Sequence, residues 1–172
     1  MTNREIAAVL FNISTILSMQ SGNPYRIRAY RRAARNLLRI REPIAQRVAA
    51  GKPLGLPRLG KSLTAKISTL ASKDALQFYE ELCDELPSEE RALLKLKVPG
   101  LGPTIAARIH RDLGPTDAAS LRRAAATGKL QRIWGIGPKR TAAILDAVGG
   151  SEVRQERMDR DDADEVEHLS AT

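Results

Sequence analysis

Leu56-Pro-Arg-Leu-Gly-Lys-Ser-Leu-Thr-Ala-Lys-Ile67, Val98-Pro-Gly-Leu-Gly-Pro-Thr-Ile-Ala-Ala-Arg-Ile109 and Ile133-Trp-Gly-Ile-Gly-Pro-Lys-Arg-Thr-Ala-Ala-Ile144 are three copies of one twelve-residue pattern. Each copy has an aliphatic residue at positions 1, 4 and 12, glycine at position 5 and alanine at position 10. The starts lie 42 and then 35 residues apart, too irregular for a solenoid. Glycine lets the backbone turn tightly and turns its N–H groups outward without a shielding side chain. Pro103 and Pro138 sit where the next helix should begin, the place where proline is best tolerated. The small residues Ala106, Ala107, Ala142 and Ala143 are expected to let that helix pack closely on its neighbour. Each unit therefore reads as a hairpin between two helices. N–H groups at a helix start, together with the helix dipole, suit a phosphate oxygen. In the first copy Arg58 replaces the first glycine, so that hairpin is expected to be distorted or to meet phosphate differently.

Working outward, the whole chain reads as helices. Ile6, Val9, Leu10, Ile13, Ile16 and Leu17 recur at helical spacing, which predicts an amphipathic helix over 3–20. Ser21-Gly22-Asn23-Pro24 stops it. A second helix is expected over 25–40 and a third over 43–50, ending at Gly51 in a left-handed conformation. Further helices fall near 61–72, 74–86, 88–96, 103–113, 117–127 and 138–148, and no stretch alternates with period two. The expectation is an all-α fold made of two small helical subdomains, 1–86 and 87–149, followed by a disordered acidic tail over 150–172.

Charge separates these parts. Of 172 residues, 28 are Lys or Arg and 20 are Asp or Glu, a net of +8. Residues 151–172 hold eight carboxylates and three arginines, a net of −5, which leaves +13 on residues 1–150. So basic a body points to a polyanion, with nucleic acid ahead of an anionic membrane surface. Arg28, Arg31, Arg32, Arg35 and Arg39 form one helical stripe of like charges, a costly arrangement unless something anionic meets it. The lone Cys83, with His110 and His168, offers neither an internal disulfide nor a side-chain metal site. No apolar run reaches the ~18 residues of a membrane span. His110 is expected near the surface, without an acid–base partner. Trp134 is expected to be half-buried in packing, with base stacking as the alternative; six aromatics are too few for an extended single-strand stacking platform.

The three units resemble helix-hairpin-helix motifs, the nonspecific DNA-binding elements of many repair proteins. Asn23-Pro-Tyr-Arg-Ile-Arg-Ala-Tyr-Arg-Arg-Ala-Ala34, followed by the hairpin at 56–67, resembles the N-terminal region of family X DNA polymerases, above all the bacterial ones, and the similarity runs in order over residues 3–149. The resemblance implies a small helical domain that binds the 5′-phosphate of gapped DNA, and a following subdomain whose hairpin grips the backbone of the other strand. The residues this places at DNA are Arg26, Arg28, Arg31, Arg32 and Arg35, then Arg58, Gly60 and Lys61 of the first hairpin. Gly100, Leu101, Gly102, Thr104 and Arg108 follow from the second, and Gly135, Ile136, Gly137, Lys139 and Arg140 from the third. Hairpins of this class often hold K+ or Na+ through backbone carbonyls; no other cofactor is expected.

Eukaryotic repair members of the family also remove 5′-deoxyribose phosphate through a lysine Schiff base, and the matching position is Lys66. Tyr30 matches a tyrosine near that nucleophile, and Arg26, Arg31 and Lys61 are candidate cationic neighbours that would favour the neutral amine. Ser62 stands where active lyases have a second lysine, and Tyr25 where they have a template-packing histidine. Lys66 is thus either a nucleophile or an exposed phosphate contact. Only 22 residues follow Gly150, too few for a polymerase palm, so polymerase activity is not expected. Three readings stay open: a nonspecific DNA-binding module favouring gaps, nicks or 5′-phosphates, a lyase acting through Lys66, and a DNA-bound adaptor regulated by its acidic tail. The expected setting is the bacterial cytoplasm, at the nucleoid and alongside repair proteins, with no membrane partner.

Overall fold

A computed structural model describes residues 1–149 apart from 97, 99 and 115; the acidic tail lies outside the described residues. Among the described residues the chain is all-α, with no strand. The helices are α1 (Asn3–Met19), α2 (Pro24–Arg39), α3 (Ile44–Ala49), α4 (Lys61–Lys73), α5 (Gln77–Asp84), α6 (Ser88–Lys95), α7 (Pro103–Leu113) and α8 (Ala118–Ala126). A 3-10 turn (Leu130–Arg132) and α9, residues 138–149, complete them. These follow the periodicity closely. The element shortened most is α5, because Asp74 takes a left-handed conformation (φ 55°) that ends α4 and delays the next start to Gln77.

Two compact units divide the chain, Met1–Pro115 and Thr116 onward. In the first, α1 begins at a Thr2–Glu5 capping box. Its apolar stripe, with Ile6, Leu10, Ile13 and Ile16 at most 1% exposed, lies against Ile27, Ala33, Ala34 and Leu37 of α2. Ala33 and Ala34 bring the two helices close. Asn3 fixes the α2–α3 connection: its amide donates to the Glu42 carbonyl at 2.9 Å and its Oδ1 accepts from the Ile44 N–H at 2.8 Å. The unit runs past residue 86 because α6 packs on α5 and α7 packs on both α6 and α1, so it takes in the second hairpin. In the second unit, Leu121, Leu130, Ile133, Ile136, Ile144 and Val148 build a smaller core. No helix among the described residues is long and apolar enough to cross a membrane.

Candidate nucleic-acid interface

The repeat's aliphatic positions bury themselves and so aim the turn. Val98, Leu101 and Ile109 of the second copy, and Ile133, Ile136 and Ile144 of the third, are core residues. The Leu101 N–H donates to the Val98 carbonyl and the Ile136 N–H to the Ile133 carbonyl, both at 3.0 Å. Leu101 and Ile136 therefore shape their turns, with side chains buried and N–H groups engaged. The residue before each of them has positive φ: 84° at Gly100 and 93° at Gly135. Arg58 holds the same left-handed conformation (φ 54°) in the first copy, although no bond closes Leu56 to Leu59 there. The first hairpin keeps the turn and loses its closing bond; for a residue with a Cβ the conformation costs about 1 kcal/mol.

A helix starts at the position-5 glycine of every copy. Gly60 caps α4 and Gly102 caps α7, neither with a side-chain bond, and α9 follows Gly137. The carbonyls of these glycines accept from Thr64, Ala106 and Thr141 N–H groups at 2.9–3.0 Å. A helix start without a capping side chain leaves first-turn N–H groups turned toward the approach to the hairpin, where an anion is favoured. In the first and third copies, the Thr64 and Thr141 hydroxyls also donate to the cap carbonyl, each at 3.0 Å.

The surroundings of the three caps differ. Among the described residues, a Cβ at Gly60 or Gly137 would meet nothing within 4 Å. At Gly102 it would stand 2.9 Å from Asn12 Oδ1 on α1. Asn12 is held there by its amide, which donates to the Tyr79 hydroxyl at 2.9 Å. Gly100, Gly102 and Thr104 share a cleft of about 250 Å3 with Phe11, Asn12 and Thr15 of α1. Close packing through the small residues holds for the fully buried Ala106, whereas Ala142 is exposed beside the open third cap.

Cationic side chains flank the open caps. Arg58 and Lys61 are exposed at the first, Lys139 at the third. Arg140 folds back to donate to the Gly135 carbonyl, so a guanidinium already supplies positive charge at the carbonyl of that turn. At the second hairpin Thr104 is exposed and Arg108 half-buried. Trp134 departs from the expectation of partial burial. It stands 77% exposed, because Ile133 and Ile136 on either side of the turn take the core positions and leave position 2 at the tip.

The arginine helix α2 starts at Asn23, whose Oδ1 accepts from the Tyr25 and Arg26 N–H groups. Its first turn holds no acid, so Arg26 and Arg28 oppose the helix dipole. Arg26, Arg28, Arg32 and Arg35 are exposed and Arg31 is half-buried. Among the described residues no carboxylate forms an ion pair with any of them. The Arg28 guanidinium lies over the exposed Tyr25 ring at 4.8 Å.

Phe78 ties this helix to the first hairpin. Arg26 and Lys66 each lie 5.0 Å from its ring centroid, and the Tyr30 ring stacks on it at 6.5 Å and 16°. Lys66 Nζ donates to Ser62 Oγ at 2.8 Å. Partial burial holds the Lys66 ammonium below the usual lysine range, and the Arg26 charge adds to this. Of the three cations expected around Lys66, it is Arg26 whose charge acts on it. Burial raises the Tyr30 phenol, opposed by its hydrogen bond to Arg26 and that residue's charge. Sequence reasoning had missed Phe78 and Asn12. Asn12 lies far along the chain from Gly102, and only the scarcity of aromatics could have marked Phe78. No group of three or more His, Cys, Asp or Glu is placed to hold a metal among the described residues.

Comparison with known proteins agrees with this architecture. Residues 1–76, which contain the arginine helix and the first hairpin, match the helix-hairpin-helix domain family. The chain is 29% identical over 158 residues to the DNA polymerase/3′-5′ exonuclease PolX of Bacillus subtilis (strain 168), an alignment covering 92% of this chain. It spans 27% of that relative's length. This chain, all-α with a helix-hairpin-helix domain, thus resembles a helical portion of a family X DNA polymerase.

Proposed function

We propose that this protein binds DNA through its sugar–phosphate backbone, without reading base sequence, and favours gapped, nicked or 5′-phosphorylated DNA in repair. The observation that carries the reading is the open helix start at Gly60 and Gly137, each beside exposed lysine, in a body whose arginine helix has no carboxylate partner among the described residues. Contacts of this kind position a protein on DNA and carry little sequence information. A K+ or Na+ ion on hairpin carbonyls belongs to the same proposal and would add positive charge at a turn, as Arg140 does at the third. The test is affinity for a 5′-phosphorylated gapped duplex across a salt series. The logarithm of the association constant should fall linearly with that of salt, by about 0.9 per phosphate neutralised. A flat salt dependence would remove the reading.

A second reading rests on the lowered pKa of Lys66. A neutral Lys66 amine adds to the C1′ aldehyde of a 5′-deoxyribose phosphate, and loss of water gives an iminium. Removal of a C2′ proton then breaks the C3′–O bond, the electron pair leaves with the phosphate oxygen, and water later frees the lysine. Borohydride should trap a covalent complex with the intact protein. Equal trapping by Lys66→Ala would sink this assignment and leave the binding proposal standing.

A further inference from the structure

The tip of the third hairpin carries a feature that backbone binding does not use. Ile133 and Ile136 are each 3% exposed and anchor the two ends of a four-residue turn closed by the Ile136 N–H to the Ile133 carbonyl. Trp134 and Gly135 are its central residues, and φ of 93° at Gly135 marks the type II form. That form favours proline where Trp134 stands, and both other copies have proline there. The third copy instead has the chain's one tryptophan, 77% exposed on an anchored turn, next to the open helix start at Gly137 and the exposed Lys139. At 77% exposure most of this ring's surface faces outward, which is unusual for tryptophan. A flat π-face would cover it while the neighbouring helix start holds a phosphate.

We propose that Trp134 is a stacking residue that makes the third hairpin select DNA with an unstacked base — at a gap, a nick or a frayed end — over continuous duplex. The proposal rests on the DNA-binding reading and deepens it. Every base inside a continuous duplex has both faces covered by its neighbours, so the indole can lie on a base only where that stack is broken. Stacking tolerates any base, which keeps the recognition sequence-independent.

The single tryptophan makes the test direct. Intrinsic fluorescence of the full chain is followed during titration with a one-nucleotide-gapped duplex and with a continuous duplex of equal length. The gapped DNA should quench the emission strongly and the continuous duplex weakly. Trp134→Ala should lower affinity for gapped DNA about tenfold and for continuous duplex less than twofold. Trp134→Phe should restore most of the difference. Tight binding with unchanged emission on the gapped duplex would overturn the proposal and leave backbone binding intact. So would equal losses on both DNAs in a Trp134→Ala variant that keeps its helical circular dichroism. Absence of binding to either DNA would overturn both readings.

Discussion

The first and third hairpins and the second share one pattern, yet their cap glycines answer to different neighbours. Gly60 and Gly137 face open space, and a threonine hydroxyl secures the cap carbonyl behind each of them. Gly102 faces Asn12 of α1, and buried Ala106 replaces that threonine. A repeated motif therefore holds two kinds of glycine. One is required by packing within the chain; at the other two, among the described residues, a side chain would meet no neighbour, and the proposed DNA contact would use that room. The second hairpin doubles as the joint that brings α7 onto α1, and its small residues belong to that joint.

The largest effect expected from this contrast is on stability. Gly102→Ala forces a methyl to within 2.9 Å of Asn12 Oδ1, an atom that the bond to Tyr79 prevents from yielding freely. A loss of about 1–3 kcal/mol is expected, several degrees in Tm. In an Asn12→Ala background the same change should cost much less, and thermal melts of the four combinations measure the coupling. Equal cost in both backgrounds would break the distinction between the hairpins.

Gly60→Ala and Gly137→Ala should do the reverse. The φ of −76° at Gly60 suits alanine, and the freedom this removes from the unfolded chain opposes the poorer helix capping of alanine, so Tm should change by less than for Gly102→Ala. DNA affinity should fall about threefold to tenfold for each, since the new methyl would stand where the proposed phosphate contact lies. Melting and binding isotherms on the same variants separate the two outcomes. Variants that bind as before would return these glycines to simple helix starts.

The fold and the site were not equally legible. Helical spacing placed α1, α2, α4 and α7 to within a residue or two, because each has a continuous apolar stripe and a clear stop such as Gly22-Asn23-Pro24 or Gly114. Three glycine turns announced three helix starts. The repeat alone could not separate Gly102 from Gly60, because the difference is made by Asn12, ninety residues away along the chain. The approach of Lys66 to Phe78 was hidden too, because helical spacing does not say which face of α5 meets α4. Trp134 misled in the opposite sense: tryptophan is ordinarily well buried, and only the turn geometry shows that its position lies at a tip.

Arg58 offers a smaller and two-sided test, because the first hairpin has the open cap of the third without its glycine turn. Arg58→Gly relieves the left-handed conformation and should stabilise the protein by up to about 1 kcal/mol. The same change removes an exposed charge beside Lys61, so the slope of binding against salt should fall by roughly one phosphate contact. Melts and salt titrations should thus move in opposite directions. A loss of stability would mean that the guanidinium is held by the fold rather than offered to DNA.

The smallest expected effect concerns the helix that the first hairpin launches. Burial and then the Arg26 charge hold Lys66 below the usual lysine range, so more of it is neutral at a given pH than of a surface lysine. Arg26→Ala removes the second cause and leaves much of the first, so the Lys66 pKa should move back upward. The pH profile for acylation of Lys66, followed by mass spectrometry, should shift to higher pH. The linkage to stability has a definite sign. A lysine whose pKa is lowered by folding binds fewer protons in the folded state, so stability should rise as pH climbs through its titration, and Arg26→Ala should flatten that rise. An unchanged profile would mean that burial alone sets the lysine's state. The open start of α4 and the part-buried amine farther along it would then be independent features of one helix.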